Sequence, residues 1–367
     1  MKLRISGIAA ITFATLALAA CGDGGTGSGV VEETAAVDTS SGLVIDGEQI
    51  ADAETYEAAK GQTLSIYTGY QEANQHEVNE AFTADTGIKV EYVRDVTNKL
   101  AERILSEFGA NQLGADVIIS SDYKVTNGFH EAGIFEPYVP STIADQTDLQ
   151  HNDGAFVTFA NVPVTFAYNT NAISEEDAPK SWADLLDPKY AGKIGIVQGT
   201  AGGSSIALNR FLAEEVDPDY WTKMAELQPK IYDSGGQRQE ALARGELDVA
   251  TAGTAAVNVA VTNDNAPIEW VAPEEGIVAF SFFAGKAANA KNSEAAEVFL
   301  NYALSKRGQS VIAQVGDYGA RADVDPPSAT GRALPPLDSD QVLVMPAESE
   351  LEYATADADI WRTAFGR

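Results

Sequence analysis

The chain is poor in several residue types that mark common site chemistries. Its 367 residues include one cysteine, three histidines and three methionines. A single cysteine excludes an intrachain disulfide and any C-x-x-C redox or zinc motif. His76, His130 and His151 are scattered at no metal-ligand spacing. His76 and His130 sit beside Glu77 and Glu131 in helical segments and read as solvated surface residues. Basic residues are scarce too, with 24 Lys+Arg against 54 Asp+Glu, a net charge of −30. That balance excludes nucleic acid and anionic membrane surfaces as partners and fits a solvated acidic coat. G-x-S-x-G, H-E-x-x-H, a P-loop lysine and G-x-G-x-x-G spacing are all missing. Ser120, Ser121 and Ser204 have no histidine near them in sequence to act as a base. No catalytic residue is assigned.

What is present begins with Met1 to Ala20, MKLRISGIAAITFATLALAA. A short basic start, an apolar run and small closing residues make a secretory signal, too short for a membrane span. Leu18-Ala19-Ala20-Cys21 resembles a bacterial lipobox, so residues 1–21 are expected to be signal and lipidation site, with Cys21 carrying the lipid. Acylation would anchor the chain to a membrane without spanning it. Residues 22–45, rich in Gly, Ser, Thr and Ala, read as a flexible tether. A tether of ~20 residues reaches roughly 25 Å.

From Leu64 onward, strand and helix signals alternate. Strands are expected at 64–69, 89–93, 115–120, 162–169, 192–198, 230–234, 246–252, 268–272 and 277–285. Residues 115–120, ADVIIS, are nearly all apolar, as a strand buried on both faces should be. Thr97 to Phe108 carries Leu100, Ile104 and Phe108 four apart, which predicts a helix; Glu294 to Ala313 reads as one long helix. Ser181-Trp-Ala-Asp184 fits a capping box. This alternation predicts an α/β architecture with mostly parallel sheet, in which ligands bind beyond the carboxyl ends of strands. Four loops qualify: Tyr67–Gln71, Ser120–Tyr123, Gln198–Ser205 and Gly253–Ala256. Two fall early and two late, which suggests a cleft between two lobes.

The third loop lies in IVQGTAGGSSIALNRF, residues 196–211. Gly199, Gly202 and Gly203 let backbone approach a ligand, and orphan N–H groups of the following helix favour an anion. The residues fit an anion cradle and a tight turn with a serine cap equally well.

The ordered motifs YTGYQEANQHEVNEAFTADTGIKVEY (67–92), FAYNTN (166–171), PKSWADLLDPKYAGKIGI (179–196), GDYGARADV (316–324), PLDSDQ (336–341) and IWRTAF (360–365) resemble bacterial ABC-importer solute-binding proteins of the ferric-ion-binding type. The resemblance implies a two-lobed periplasmic-binding-protein (Venus-flytrap) fold, each lobe a mostly parallel sheet flanked by helices. Lobe 1 would comprise 46–161 and 277–367, and lobe 2 162–276, with crossover strands around 162–168 and 270–280. It further implies an extracytoplasmic monomer that closes on a small molecule and presents it to a permease and ATPase, without catalysis or resident cofactor.

Iron-binding members hold Fe(III) with adjacent tyrosines after a G-E-[LV] sequence. Here Gly245-Glu246-Leu247 is followed by Ala255-Ala256 at those positions, and the position of a ligand histidine reads Gln71. Tyr70, Asp122 and Tyr123 remain as weaker iron candidates. The loop that holds a companion anion in those relatives aligns with Thr200-Ala201-Gly202, and Arg238 lies near another anion contact. The expected ligand site is therefore Tyr67, Gly69, Tyr70, Gln71, Ser120, Ser121, Asp122, Tyr123, Thr200, Ala201, Gly202, Gly203, Ser204, Arg238, Gly253, Thr254 and Tyr318. The expected cargo is a small oxyanion-bearing solute, a phosphonate, a phosphate ester or ferric ion with an anion. A polyamine, held by the tyrosines and Asp122, is the alternative that the acidic coat favours, and a zwitterion such as an aminophosphonate, which would satisfy both the anion cradle and the amine contacts, is the preferred cargo within the class. A ligand-sensing receptor subunit and a surface hydrolase are the other two readings.

Overall fold

A computed structural model describes residues 34–366. The signal, Cys21 and most of the tether lie outside the described residues. The tether, expected to run to residue 45, ends sooner. Val37–Asp38, Leu43–Ile45 and Glu48–Ala51 form a three-stranded antiparallel sheet. Leu43 and Ile45 are fully buried, and Asp46-Gly47, with φ of 49° and 85°, turns the chain between the last two strands. Left-handed conformation at both central positions is the twist-matched hairpin turn that an Asp-Gly pair favours.

Two parallel three-stranded units follow. In the first, Thr63–Thr68 lies between Lys89–Arg94 and Val117–Ser120. In the second, Ile194–Val197 lies between Lys230–Tyr232 and Val249–Gly253. Each unit is closed by a long antiparallel strand: Ile277–Lys286 beside Val117–Ser120, and Phe156–Asn169 beside Val249–Gly253. These two long strands pair with each other from Val278↔Val164 to Ala284↔Val157. The first crossover is wider than the expected 162–168. The second falls later than 270–280, because Ile268–Val271 turns back to pair with Phe166–Asn169. Helices flank both units, and the sheet curls through its two crossovers into two lobes. Among the described residues three apolar clusters hold the sheet and helices: one packs the first parallel unit, one joins the second unit to residues 318–342 across the crossover, and the largest runs through both units.

The pairing register shifts once. Ala160 faces Phe282 while Thr158 faces Phe283, leaving Phe159 as an extra residue. Such a bulge re-aims side chains, and Phe159 and Phe282 both meet the Tyr70 ring edge-on, at 5.5 and 5.1 Å.

The capping box at Ser181 forms as read. Asp184 N donates to Ser181 Oγ at 3.0 Å and Ser181 N to Asp184 Oδ2 at 3.1 Å, although the helix is a single 3-10 turn, Ala183–Leu186. The expected long helix at 294–313 is instead two, Ser293–Ala303 and Lys306–Gln314. Ser305 breaks it: its hydroxyl donates to Tyr302 O at 2.6 Å and accepts from Gly308 N at 3.1 Å, capping the second helix. A cap of this kind is worth about 1 kcal/mol. Ser305→Ala should therefore lower the denaturant midpoint by a stability loss of that order, since the buried Gly308 amide loses its partner; an unchanged midpoint would assign the break to the chain on either side.

Candidate functional site

A cavity of about 490 Å³ opens between the lobes. Each wall follows from the topology. The loop after Thr63–Thr68 brings Gly69, Tyr70 and Gln71; the loop after Val117–Ser120 brings Ser121. The second lobe supplies Ala201, Gly202 and Ser204 after Ile194–Val197, Ser234, Gly235 and Gly236 after Lys230–Tyr232, and Gly253 at the end of Val249–Gly253. Phe280 and Phe282 of the second crossover form its back.

Nine of the seventeen expected residues line this cavity: Gly69, Tyr70, Gln71, Ser121, Ala201, Gly202, Ser204, Arg238 and Gly253. The other eight do not. Tyr67 points to the opposite face of its strand, where its hydroxyl donates to Glu107 Oε2 at 2.9 Å beneath Arg103. Ser120 Oγ is buried without a partner. Asp122 caps the helix Tyr123–Glu131, accepting from Val125 N at 2.8 Å. Tyr123 packs edge-on against His151, Phe156 and Phe283. Thr200 is exposed outside the cavity. Thr254 donates to Gly316 O at 3.3 Å, and Tyr318 donates to Pro335 O at 2.6 Å. Of the iron candidates, Tyr70 alone reaches the cavity, and the described residues hold no group of three or more His, Cys, Asp or Glu arranged to hold a metal.

Gly203, the eighth, explains the glycine-rich loop. Its N–H donates to Ser121 Oγ at 3.3 Å, and Ser121 Oγ in turn meets Thr97 Oγ1 at 3.0 Å. A Cβ on Gly203 would fall 1.6 Å from Ser121 O, so only glycine allows the lobes this close. Gly199 serves packing: a Cβ there would fall 2.5 Å from the ring of Trp361, in the final helix Glu350–Phe365. The loop is thus an interlobe contact first. Ala201, Gly202 and Ser204 remain on the cavity lining.

Arg238 carries the stronger polar feature. It sits in the helix Gly235–Ala243, whose cap Ser234 accepts from Gln237 N at 3.4 Å. Its side chain is 8% exposed, with Nη1 donating to Thr251 Oγ1 at 3.0 Å and Nε unpartnered. No ion pair among the described residues supplies it with a carboxylate, and burial lowers its pKa to about 10. The neighbouring Gln239 lines the same wall with both side-chain polar atoms unpartnered. Arg94, exposed and on the cavity rim, donates from Nε to Tyr70 O at 3.2 Å.

Sequence reasoning missed Arg94, Gln239 and Asp317. Asp317 lies within GDYGARADV, next to Tyr318, the residue of that motif expected in the site. It is 1% exposed and lines the cavity. The Tyr70 hydroxyl and Asn74 Nδ2 (2.6 Å) both donate to Oδ2, leaving Oδ1 unpartnered. Burial, only partly offset by those two donors, pushes its pKa up to about 7.

The sequence that builds this cleft, ringed by strand-end loops and helix N-termini, matches the bacterial extracellular solute-binding protein family over residues 114–343, more than half of the chain. The chain belongs to that family. One relative of this solute-binding protein is the spermidine/putrescine-binding periplasmic protein 1 of Haemophilus influenzae, 26% identical over 68% of this chain and 72% of that one. Another is a Salmonella typhimurium protein provisionally named 2-aminoethylphosphonate-binding, 27% identical over 67% and 74%. The solved structure of iron-bound HitA from Pseudomonas aeruginosa aligns with a TM-score of 0.66 at 22% identity, covering 82% of this chain and 99% of that one, and shows the same fold. The expected fold class and solute-binding class stand on these matches.

Two outcomes follow from the site's geometry. Gly203→Ala should drive Ser121 and the 203–211 helix apart, seen as a larger radius of gyration in small-angle scattering; an unchanged profile would mean that Ser121 yields locally. Asp317 has a folded pKa above its unfolded one, so it adds stability while protonated and loses it as pH rises from about 4 through about 7. The melting temperature of ligand-free protein should fall over that window, and Asp317→Asn should flatten the fall; equal slopes for both proteins would contradict it.

Proposed function

We propose that this protein is the extracytoplasmic receptor of an ABC importer for a small solute bearing a phosphorus oxyanion, a phosphonate or a phosphate ester. The observation that carries this reading is Arg238, a buried guanidinium on the cavity wall with one hydrogen bond and no counter-charge. Leaving such a cation unpaired costs several kcal/mol, and a bound oxyanion offsets that cost through its planar fork. The N-termini of helices Gly203–Phe211 and Gly235–Ala243 add positive dipole ends to the same cavity. The acidic coat does not oppose this, because its field is screened within about 8 Å at physiological ionic strength whereas donors in a closed cleft are screened less.

Ligand capture is a hinge closure on the crossover strands, with Thr97, Ser121 and Gly203 as the closing contact. The closed receptor docks on a permease, which works with an ATPase. In this reading the chain acts as a monomer, held outside the cytoplasm by lipid on Cys21, and performs no catalysis. His151 supports the last point, since its nitrogens face Glu348 and Thr158 at 3.0 and 2.9 Å, away from the cavity. Fe(III) is less supported, because the Tyr70 hydroxyl keeps its proton and donates it in a hydrogen bond to Asp317, and Asp122 and Tyr123 are turned elsewhere. A polyamine is the second reading, favoured by Glu72, Glu240 and Asp264 on the cavity lining.

A thermal-shift panel of phosphate, phosphonates, sugar phosphates, Fe(III) with and without anion, and polyamines tests this. At least one phosphorus oxyanion should raise the melting temperature; at a hundred-fold excess over Kd the gain is about 2.7 kcal/mol. Arg238→Ala should weaken that ligand roughly ten- to hundred-fold, as loss of a charged hydrogen-bond donor does. Shifts by bare metal or polyamines alone would overturn the reading.

A further inference from the structure

The cavity has a second polar end that the oxyanion leaves unused. Asp317 sits where the chain leaves the helix Lys306–Gln314, just before Tyr318–Gly319 pairs with Asn161 and Ala160 of the first crossover. Its carboxyl is buried, yet both of its donors, the Tyr70 hydroxyl and Asn74 Nδ2, converge on one oxygen. Asp317 Oδ1 has no partner, and neither has Asn74 Oδ1. Of the two, Asp317 is on the cavity lining, and a buried acceptor left unsatisfied there asks for a donor from the cavity. Phe282, edge-on to Tyr70 at 5.1 Å, also lines the cavity and offers an aromatic wall of the kind that attracts cations. A primary ammonium supplies three donors and a positive charge, matching this set.

We infer that Asp317, held by Asn74 and flanked by Phe282, forms an ammonium subsite, so that the solute is zwitterionic: an oxyanion at Arg238 and a primary amine at Asp317. The inference rests on the oxyanion reading for one end of the ligand only. It moves the amine contact from the expected Asp122 to a residue near the hinge. A ligand held there touches both crossovers through Tyr70, because the Tyr70 ring lies between Phe159 and Phe282. Occupancy of the subsite is thereby coupled to the strands that bend on closure.

Calorimetric titration of the purified full chain with 2-aminoethylphosphonate, ethylphosphonate and putrescine, repeated with Asp317→Asn, tests it. The amine should make 2-aminoethylphosphonate bind roughly ten- to hundred-fold tighter than ethylphosphonate, as a charged hydrogen-bonded contact does. Asp317→Asn should bring the two ligands to equal affinity. Equal affinities already in the unaltered protein would overturn the subsite and leave the oxyanion reading intact, with no variant needed. If neither phosphonate binds, the phosphonate form of the oxyanion reading falls, and putrescine then decides the subsite. Putrescine binding that Asp317→Asn abolishes supports it; putrescine that fails to bind, or binds both proteins equally, overturns it.

Discussion

The hydrogen-bonded pair of crossover strands, Phe156–Asn169 with Ile277–Lys286, is the constraint on which everything else hangs. Each parallel unit is joined to the sheet through one of them. The unit edges therefore open toward each other across the pair, and every loop at the carboxyl end of a parallel strand points into the same gap. The bulge at Phe159 adds a further consequence. It places two aromatic rings around Tyr70 and so fixes the phenol that meets Asp317. The connection from hinge to binding surface is thus direct.

The cavity is electrostatically divided. Arg238, two helix N-termini and Arg94 are on its lining, as is the buried Asp317. Neither buried group has an opposite charge beside it among the described residues: Arg238 has a threonine hydroxyl, and Asp317, its pKa pushed up to about 7, has a phenol and an amide. Native interiors seldom leave charged groups so, since each costs several kcal/mol. A site that binds a charged solute has reason to, because the ligand supplies the missing partners and its binding is strengthened accordingly.

The glycine-rich loop at 196–211 shows how one motif divides its work. Gly199 makes room for Trp361, Gly203 makes room for Ser121, and Ala201, Gly202 and Ser204 remain for the cavity. The first two roles depend on residues 162 and 82 positions away, so no reading of the loop alone separates them. The final helix, which carries Trp361, packs on the helices Gly203–Phe211 and Tyr220–Glu226 of the second parallel unit.

Local periodicity and composition determined the strand and helix sequence, the buried, nearly all-apolar strand 117–120, the capping box at Ser181 and the four cleft loops. These follow from the chain's own φ/ψ preferences and from the burial of its apolar faces. The same reasoning overran at Ser305, where one side-chain hydroxyl breaks an otherwise continuous apolar stripe, and at residues 37–45, where a buried Leu-Val-Ile segment ends the tether. Which polar residues face the ligand was left to the tertiary structure. Tyr67 and Tyr70 are three apart, yet one turns to Glu107 and the other to the cavity, because side-chain direction depends on which surface a strand or loop presents to its neighbours. Asp317 reaches Tyr70 across 247 positions of sequence. Such a contact exists only once the crossover strands have paired, and the chemistry of the site was decided there.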